Sequence, residues 1–394
     1  MKNHPRRHSQ LCALDGRTTS TPAGSLGALG ATAFLGLGAA AWGVVEAHAY
    51  TLRRRSILVS STGTLNAVES AATSANQSLR ILHLSDIHMV ARQHRKAEWI
   101  RSLEATEPDV IVLTGDLLAD TAALPELLHA LEPFERTPGA FVFGSNDYYS
   151  PHFKNPFSYL ARQWLGKKGD DKYRDRQRDL PWREMTAAFE ARDWFNLNNA
   201  RATCTIGAWN VSFVGVDDPH IGLDRFPEPE AAHTTGAQTT GAQTTGAQTT
   251  GRPVHIGLTH APYQRILNRM AEDACSLVFS GHTHGGQVCL PGYGTIVTNC
   301  DIDRELAYGL FRWPPAQISA RKGLHTHVVK GDGAVAFRDA PAGELPGSAA
   351  GQAPADAPLH PMWVNVTTGL GTSPYSPVRV ACRPEAVQVD IIAL

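Results

Sequence analysis

The stretch GHTHGG, residues 281–286, sets His282 and His284 one residue apart between glycines. Two imidazoles so placed are either solvated turn residues or donors to a metal, and the rest of the chain decides between these. Asp86 and His88 occur in LSDIH, Asp116 in LTGD, Asn146 and Asp147 in GSNDYY, and His260 in THAP. Each closes a short apolar run: RILHLSDIH, PDVIVLTGD, GAFVFGSND, PVHIGLTHAP and CSLVFSGHTHGG. Such runs read as strands. Helix-like segments near 93–105 and 121–132 alternate with the first three, which is the pattern of βαβ units. Carboxyl ends of strands in a parallel or mixed sheet share one edge, where ligand crevices form. Asp86, His88, Asp116, Asn146, His260, His282 and His284 are therefore expected to converge. An Asp at one strand end can simply cap the next helix, but five polar strand ends together point to a shared metal site.

Carboxylate and imidazole without thiolate suit a divalent ion such as Mn²⁺, Fe²⁺ or Zn²⁺. Seven ligands exceed what one such ion takes. Two ions about 3.5–4 Å apart, sharing one carboxylate, use them all and leave room for a water.

The order D-x-H, G-D, an Asn motif, T-H-x-P and G-H-x-H resembles that of the calcineurin-like metallophosphoesterases, over about 79–394. LSDIH and GHTHGGQ look most like a membrane-associated bacterial branch that includes UDP-diacylglucosamine hydrolases and related phosphodiesterases. The resemblance implies an α/β fold, a four-layer sandwich of two mixed β-sheets flanked by helices. It implies one ion on Asp86, His88 and His284, a second on Asn146, His260 and His282, and Asp116 as the bridge. It also implies hydrolysis of a phosphomonoester, phosphodiester or pyrophosphate by a metal-bridging hydroxide.

One motif departs from the family. Where the family reads G-N-H-D or G-N-H-E, this chain reads GSND. Matching the final Asp puts Ser145 at the ligand position and Asn146 at that of the catalytic His. Matching the preceding strand puts Asn146 at the ligand position and Asp147 at that of the His, and is preferred because an amide oxygen is the better neutral ligand. Either way the catalytic His is absent. Asp147 could act as the acid only with a raised pKa. Asp218 and His220 in DDPH are alternative acids, although DDPH also reads as a turn. The same absence allows a different class, a metal- or ligand-binding module without catalysis. A zinc peptidase lacks its H-E-x-x-H signature.

Composition bounds the rest. The chain has 394 residues, 42% hydrophobic and 19% charged, which is ordinary for a globular protein, and a formal net charge of -1 gives no reason to expect a nucleic-acid partner. Six cysteines are too few for a disulfide scaffold. Cys289 and Cys300 flank a Pro-Gly-Tyr-Gly turn and could face each other, but free buried thiols are expected. Residues 1–22 form a basic tail, and residues 23–45 carry no charge. About 20 apolar residues span a membrane, so 23–45 is expected to anchor the chain there. The AHA at 47–49 resembles a cleavage site, whose use would make the protein secreted. Positive charge on both sides gives no orientation. Membrane attachment would make a lipid-linked phosphate ester a plausible substrate. Residues 46–78 are expected as a linker and 79–394 as the folded domain. The pentapeptide repeat at 234–251 and the Pro/Ala/Gly-rich stretch at 340–358 are expected as disordered insertions.

Overall fold

The computed structural model describes residues 38, 41–60, 78–151, 176–229, 251–290, 293–315, 328–330, 332–338, 359–372 and 377–393. Most of the 23–45 segment, almost all of the 234–251 repeat, all of 340–358 and the thiol Cys12 lie outside them. Among the described residues no helix is long and apolar enough to cross a membrane. Met1–Trp42 is one unit and Gly43–Leu394 a second, compact one.

The strands in chain order are β1 (Thr51–Ser60), β2 (Ser78–Leu84), β3 (Val110–Thr114), β4 (Gly139–Val142), β5 (Phe195–Asn196), β6 (Ala200–Ile206), β7 (Trp209–Gly215) and β8 (Arg252–Leu258). They continue with β9 (Leu277–Ser280), β10 (Cys289–Leu290), β11 (Gly294–Thr295), β12 (Gly309–Trp313), β13 (Gly333–Arg338), β14 (Met362–Val366) and β15 (Glu385–Ala393). The longer helices are α1 (His94–Ser102), α2 (Leu124–Leu131), α3 (Trp182–Glu190) and α4 (Gln264–Glu272). One sheet has the order β13-β1-β15-β2-β3-β4-β5 and the other β12-β14-β9-β8-β7-β6. Both are mixed: β15 runs antiparallel to β2, as β12 does to β14 and β6 to β7, while the remaining neighbours are parallel.

The period-two alternation of side chains builds the layers. On β2 and β3, Leu79, Ile81, Val110 and Val112 face inward. They meet Val211 and Phe213 of β7, Ile256 and Leu258 of β8 and Phe279 of β9 in a core between the sheets. The alternate residues Leu82, Leu84, Ile111 and Leu113 pack against Ala97, Ile100, Leu127, Leu131 and Phe189 of α1, α2 and α3. Val214, Val278 and Val364 of the second sheet pack against Ile266, Leu267 and Met270 of α4. Helix, sheet, sheet and helix are the four layers expected from the sequence. Strands buried on both faces need apolar side chains at almost every position, which is why the first runs read as continuous rather than alternating.

The linker expected over 46–78 is corrected in part. Thr51–Ser60 is β1, paired in parallel with both β13 and β15, so the folded unit begins well before residue 79. Three arginines, 53–55, lie on this strand. Alternation turns Arg54 outward and buries Arg55 between the sheets, where it donates to Asn365 of β14 and lies 3.5 Å from the Glu385 carboxylate. Upstream of β1, the buried Glu46 carboxylate accepts from the backbone N–H groups of Ala381 (3.1 Å) and Cys382 (2.8 Å).

A chain shortened to begin at Leu79 should therefore fail to fold, whereas one beginning at Gly43 should melt cooperatively. Losing β1 opens the sheet between β13 and β15 and leaves Glu385 buried without its guanidinium; breaking a buried pair alone costs about 3–5 kcal/mol. Thermal melts followed by circular dichroism decide it, and a cooperative, unshifted melt from the shorter chain would show that β1 is dispensable.

Candidate metal centre

Five of the seven expected ligands sit on backbone that side chains rarely adopt. Asp86 (φ 48°), His88 (44°), Asp116 (54°), His282 (69°) and His284 (49°) all have left-handed torsions. Such strain persists only where the surroundings over-determine it, and it concentrates at functional sites. Here adjoining loops hold each other. The N–H of Asp86 donates to the Gly115 carbonyl and that of His88 to the Asp116 carbonyl, both at 2.9 Å. The N–H of His282 reaches the Asp86 carboxylate at 3.0 Å. Gly281 and Gly369 are required at these approaches, because a Cβ on either would collide with the Asp86 side chain.

The side chains converge. His88 Nε2 lies 3.6 Å from Asp116 Oδ2 and 3.2 Å from His284 Nε2, and His284 Nε2 lies 3.5 Å from Asp86 Oδ1. His260 Nε2 is 3.5 Å from Asp116 Oδ1 and 3.3 Å from His282 Nδ1. Asp116 thus faces both pairs of rings. Two of the ligand sets that fall within 4.8 Å among the described residues lie here: Asp86, His88 and His284, and Asp86, Asp116 and His260. All six residues are buried or nearly so. The rings are also aimed from behind. His260 Nδ1 is 2.7 Å from the Thr114 carbonyl and His282 Nε2 is 3.4 Å from that of Asn299, which directs the other nitrogen of each ring inward. Metal-binding histidines are usually held in this way. A donor set of carboxylates and imidazoles whose ring nitrogens and oxygens converge at 3.2–3.6 Å fits divalent cations.

Electrostatics distinguish the residues. Burial pushes Asp86 up to about 6, with Asp116 adding to the rise. Asp116 is pulled below its usual range: burial opposes this, but His260, His88 and the Asn146 hydrogen bonds outweigh it. Burial lowers His88 to about 4 and moves His282 and His284 well down. His260 resists its burial and is raised to about 9 because Asp116, Asp218 and Asp86 surround it.

The GSND turn, residues 144–147, splits its roles. Asn146 reaches the centre, its amide donating to Asp116 Oδ2 at 2.7 Å and its backbone N–H to Oδ1 at 2.8 Å. A half-turn of that amide would present oxygen at the same place. Asp147 turns away. Its carboxylate accepts from the N–H groups of Asp116, Leu117 and Gly144, each at 2.8 Å. The expectation that Asp147 is the leaving-group acid therefore fails on geometry, although burial raises it to about 7. Gly144 must lack a side chain, because a Cβ there would strike Asp116 and His260.

Asp218 and His220 do reach the centre. The His220 ring lies 4.5 Å from that of His282, and its Nδ1 is 3.1 Å from the Tyr263 hydroxyl. Asp218 is fully buried, with Oδ1 accepting from the His220 N–H at 2.8 Å and Oδ2 without a hydrogen-bond partner. Burial raises Asp218 to about 8. Arg379 and Lys96 flank the centre and belong to no sequence motif, while Ser85 lies within LSDIH and donates its hydroxyl to the Asp86 carboxylate. Cys289 does not face Cys300. It pairs across β10–β11 with Thr295, and its thiol donates to the Gly285 carbonyl, while Cys382 donates to that of His284. The five described cysteines are all free.

Two mixed sheets with acidic and imidazole groups gathered at their edges define a metallophosphoesterase architecture. The chain belongs to the calcineurin-like phosphoesterase family, whose model matches residues 79–286. It is 26% identical over 221 residues to the uncharacterized metallophosphoesterase YkoQ of Bacillus subtilis, covering 55% of this chain and 65% of that protein. It is 27% identical over 218 residues to a bovine transmembrane protein with metallophosphoesterase domain, covering 54% of this chain and 41% of that one. The chain thus spans less than two thirds of either relative. Among solved structures, GAP50, the anchor in the inner membrane complex of Plasmodium, aligns at 14% identity and a TM-score of 0.26, over 52% of this chain and 66% of that one.

Replacing Asp147 with Ala should destabilise the protein by about 3 kcal/mol or more, since three buried N–H groups lose their acceptor at about 1–3 kcal/mol each. Urea denaturation measures this. Unchanged stability with lost turnover would instead restore Asp147 as an acid.

Proposed function

We propose that the protein hydrolyses phosphate esters at a centre of two divalent cations, Mn²⁺, Fe²⁺ or Zn²⁺. Asp86, His88 and His284 hold one, Asn146, His260 and His282 the other, and Asp116 stands between. The observation that carries this is the inward convergence of ring nitrogens and carboxylates from residues on left-handed backbone. A paired divalent centre supplies Lewis acidity toward phosphoryl oxygens and an acidified water for in-line attack.

The chain's own groups do the positioning. Thr114 and Asn299 fix the His260 and His282 rings through their carbonyls. Asn146 is the neutral ligand of the set, and its backbone N–H orients Asp116. His220, beside His282 and facing Tyr263, takes the place of the imidazole missing from GSND and delivers a proton to the departing oxygen. Asp218 fixes the His220 backbone by accepting its N–H. The resemblance of LSDIH and GHTHGGQ to a membrane-associated branch, the uncharged 23–45 segment and the name of the bovine relative together favour a membrane-attached protein with a lipid-linked phosphate ester as substrate.

Purified full-length protein should hydrolyse aryl phosphodiesters only with divalent metal, and a chelator should abolish turnover reversibly. Asp116→Asn should lower both metal content and rate. Replacing His220 with Gln should slow esters of poor leaving groups by about 10²–10⁴-fold and aryl esters much less, as general-acid help predicts. Two bound ions without hydrolysis of any aryl ester would favour a non-catalytic binding module, and an equal loss on all esters would remove His220 from the proton-donor role.

A further inference from the structure

Consecutive residues of GSNDYY reach different loops. Asp147 holds the loop after β3, as described above. Tyr148, next in the chain, crosses to the other sheet. Its hydroxyl hydrogen lies between the two oxygens of Asp217, in the loop after β7, at 2.9 and 3.0 Å. Asp217 Oδ1 also accepts the N–H of Asp218 at 2.7 Å. Asp218 Oδ1 accepts the N–H of His220 at 2.8 Å. An unbroken series of hydrogen bonds thus runs from the turn that carries Asn146 to the imidazole beside His282. The phenol is a stiff lever. It is 3% exposed, stands edge-on to the rings of Phe143 and Trp182, and has the Arg178 guanidinium 4.1 Å from its centroid. Burial, and then the Asp217 charge, push it above its usual range, so it stays a donor. From the far side, Asn199 Oδ1 accepts the N–H groups of Asp217 (2.9 Å) and Arg225 (2.7 Å).

We propose that Tyr148 is a positioning residue, whose hydroxyl, acting through Asp217, holds His220 where it can deliver a proton to the departing oxygen. The inference rests on the role given to His220 above. GSND supplies no imidazole of its own, so the donor stands on a loop of the opposite sheet. Left to that sheet, its distance from the substrate would drift with every small movement between the two layers. Tyr148 removes this freedom, because it ties the DDPH loop to the same piece of backbone that orients Asp116. The metal ligands do not depend on it. His260 and His282 are braced by the carbonyls of Thr114 and Asn299, and Asp116 by Asn146 and Asp147. Loss of the hydroxyl therefore shifts His220 and leaves the ligands in place. Proton transfer feels such a shift, since misplacement by about 1 Å can cost about 10²-fold in rate.

The test is Tyr148→Phe in the full-length protein, which removes the hydroxyl and keeps the ring. With Mn²⁺ present, kcat on a dialkyl phosphodiester should fall about 10–10²-fold, and on an ester with a nitrophenolate leaving group by no more than about two-fold. Metal content by mass spectrometry should be unchanged. Hydrogen exchange of the purified protein should quicken about ten-fold at residues 217–223 and stay the same at 281–286. Asp217→Ala should reproduce the kinetic pattern, and the double variant should lose no more than either single one, because the two residues act as a pair. Asp217→Asn should lose less than Asp217→Ala, since its amide oxygen still accepts from Tyr148; this pair of variants carries the test if Tyr148→Phe does not fold. Equal losses on both esters, lost metal, or additive losses in the double variant would show that the contact only supports the fold, and would overturn the proposal. So would an unaltered leaving-group dependence in Tyr148→Phe while His220→Gln steepens it. If His220→Gln does not steepen it either, the role of His220 falls, and that of Tyr148 with it.

Discussion

Asp86 and Asp116 are buried together among four imidazoles, and that juxtaposition constrains everything around it. A buried charge without compensation costs far more than the few kcal/mol by which a domain is stable. The chain offsets part of the cost through backbone donors. Asp86 accepts the N–H of His282 and the hydroxyl of Ser85, and Asp116 accepts both the backbone and the amide of Asn146. The residual negative charge is what a divalent cation would neutralise. The left-handed torsions follow from the same demand, because only sharply turned loops bring carboxylate, imidazole and backbone N–H to one point from different strands.

The sandwich is the means of meeting that demand. In the parallel trios β2-β3-β4 and β7-β8-β9 the loops leave from one edge of each sheet. Facing the sheets brings Asp86, Asp116 and Asn146 from one against His260, His282 and His284 from the other. A polar path runs behind the centre between the sheets: Arg55 to Asn365, Asn365 to His83, and His83 to the Thr114 hydroxyl. Thr114 in turn offers its carbonyl to His260. The position of one ring thus depends on β1, β14, β2 and β3 together. A rigid layered scaffold holds such a set more accurately than loops alone could.

What the sequence disclosed follows from chemistry that stays local. An apolar run that ends in Asp or His carries its meaning within ten residues, so the strands before each motif and the convergence of the motif residues were legible, while the four-layer class was implied by the family resemblance that the ordered motifs carry. What it hid depends on partners distant in sequence. Arg55 lies among three arginines that local sequence does not tell apart, and pairing of its strand with β13 and β15 buries it. Arg379, in VRVACR, carries no signature; it matters because its guanidinium lands behind His284, 95 positions earlier. Asp147 was misread for the opposite reason. Its neighbours mark it as a site residue, but its carboxylate is spent on three backbone N–H groups, and no sequence pattern distinguishes an acid that reacts from one that holds a turn.

That holding role explains how the GSND turn can lack a catalytic imidazole without collapse of the centre. Asp147 fixes the N–H groups of Asp116, Leu117 and Gly144 at once, so the loop after β3 and the loop after β4 are one rigid piece whatever residue precedes it. Asn146 is then free to vary in chemistry while its backbone still orients Asp116. Gly144 enforces the closeness, since no other residue leaves room for Asp116 and His260. The architecture of the turn and the chemistry of its side chains are therefore separable. An imidazole absent from this turn leaves the placement of Asp116 and Asn146 unchanged. The loop after β7 brings another imidazole to the same place, the His220 ring lying 4.5 Å from that of His282 with its backbone fixed by Asp218.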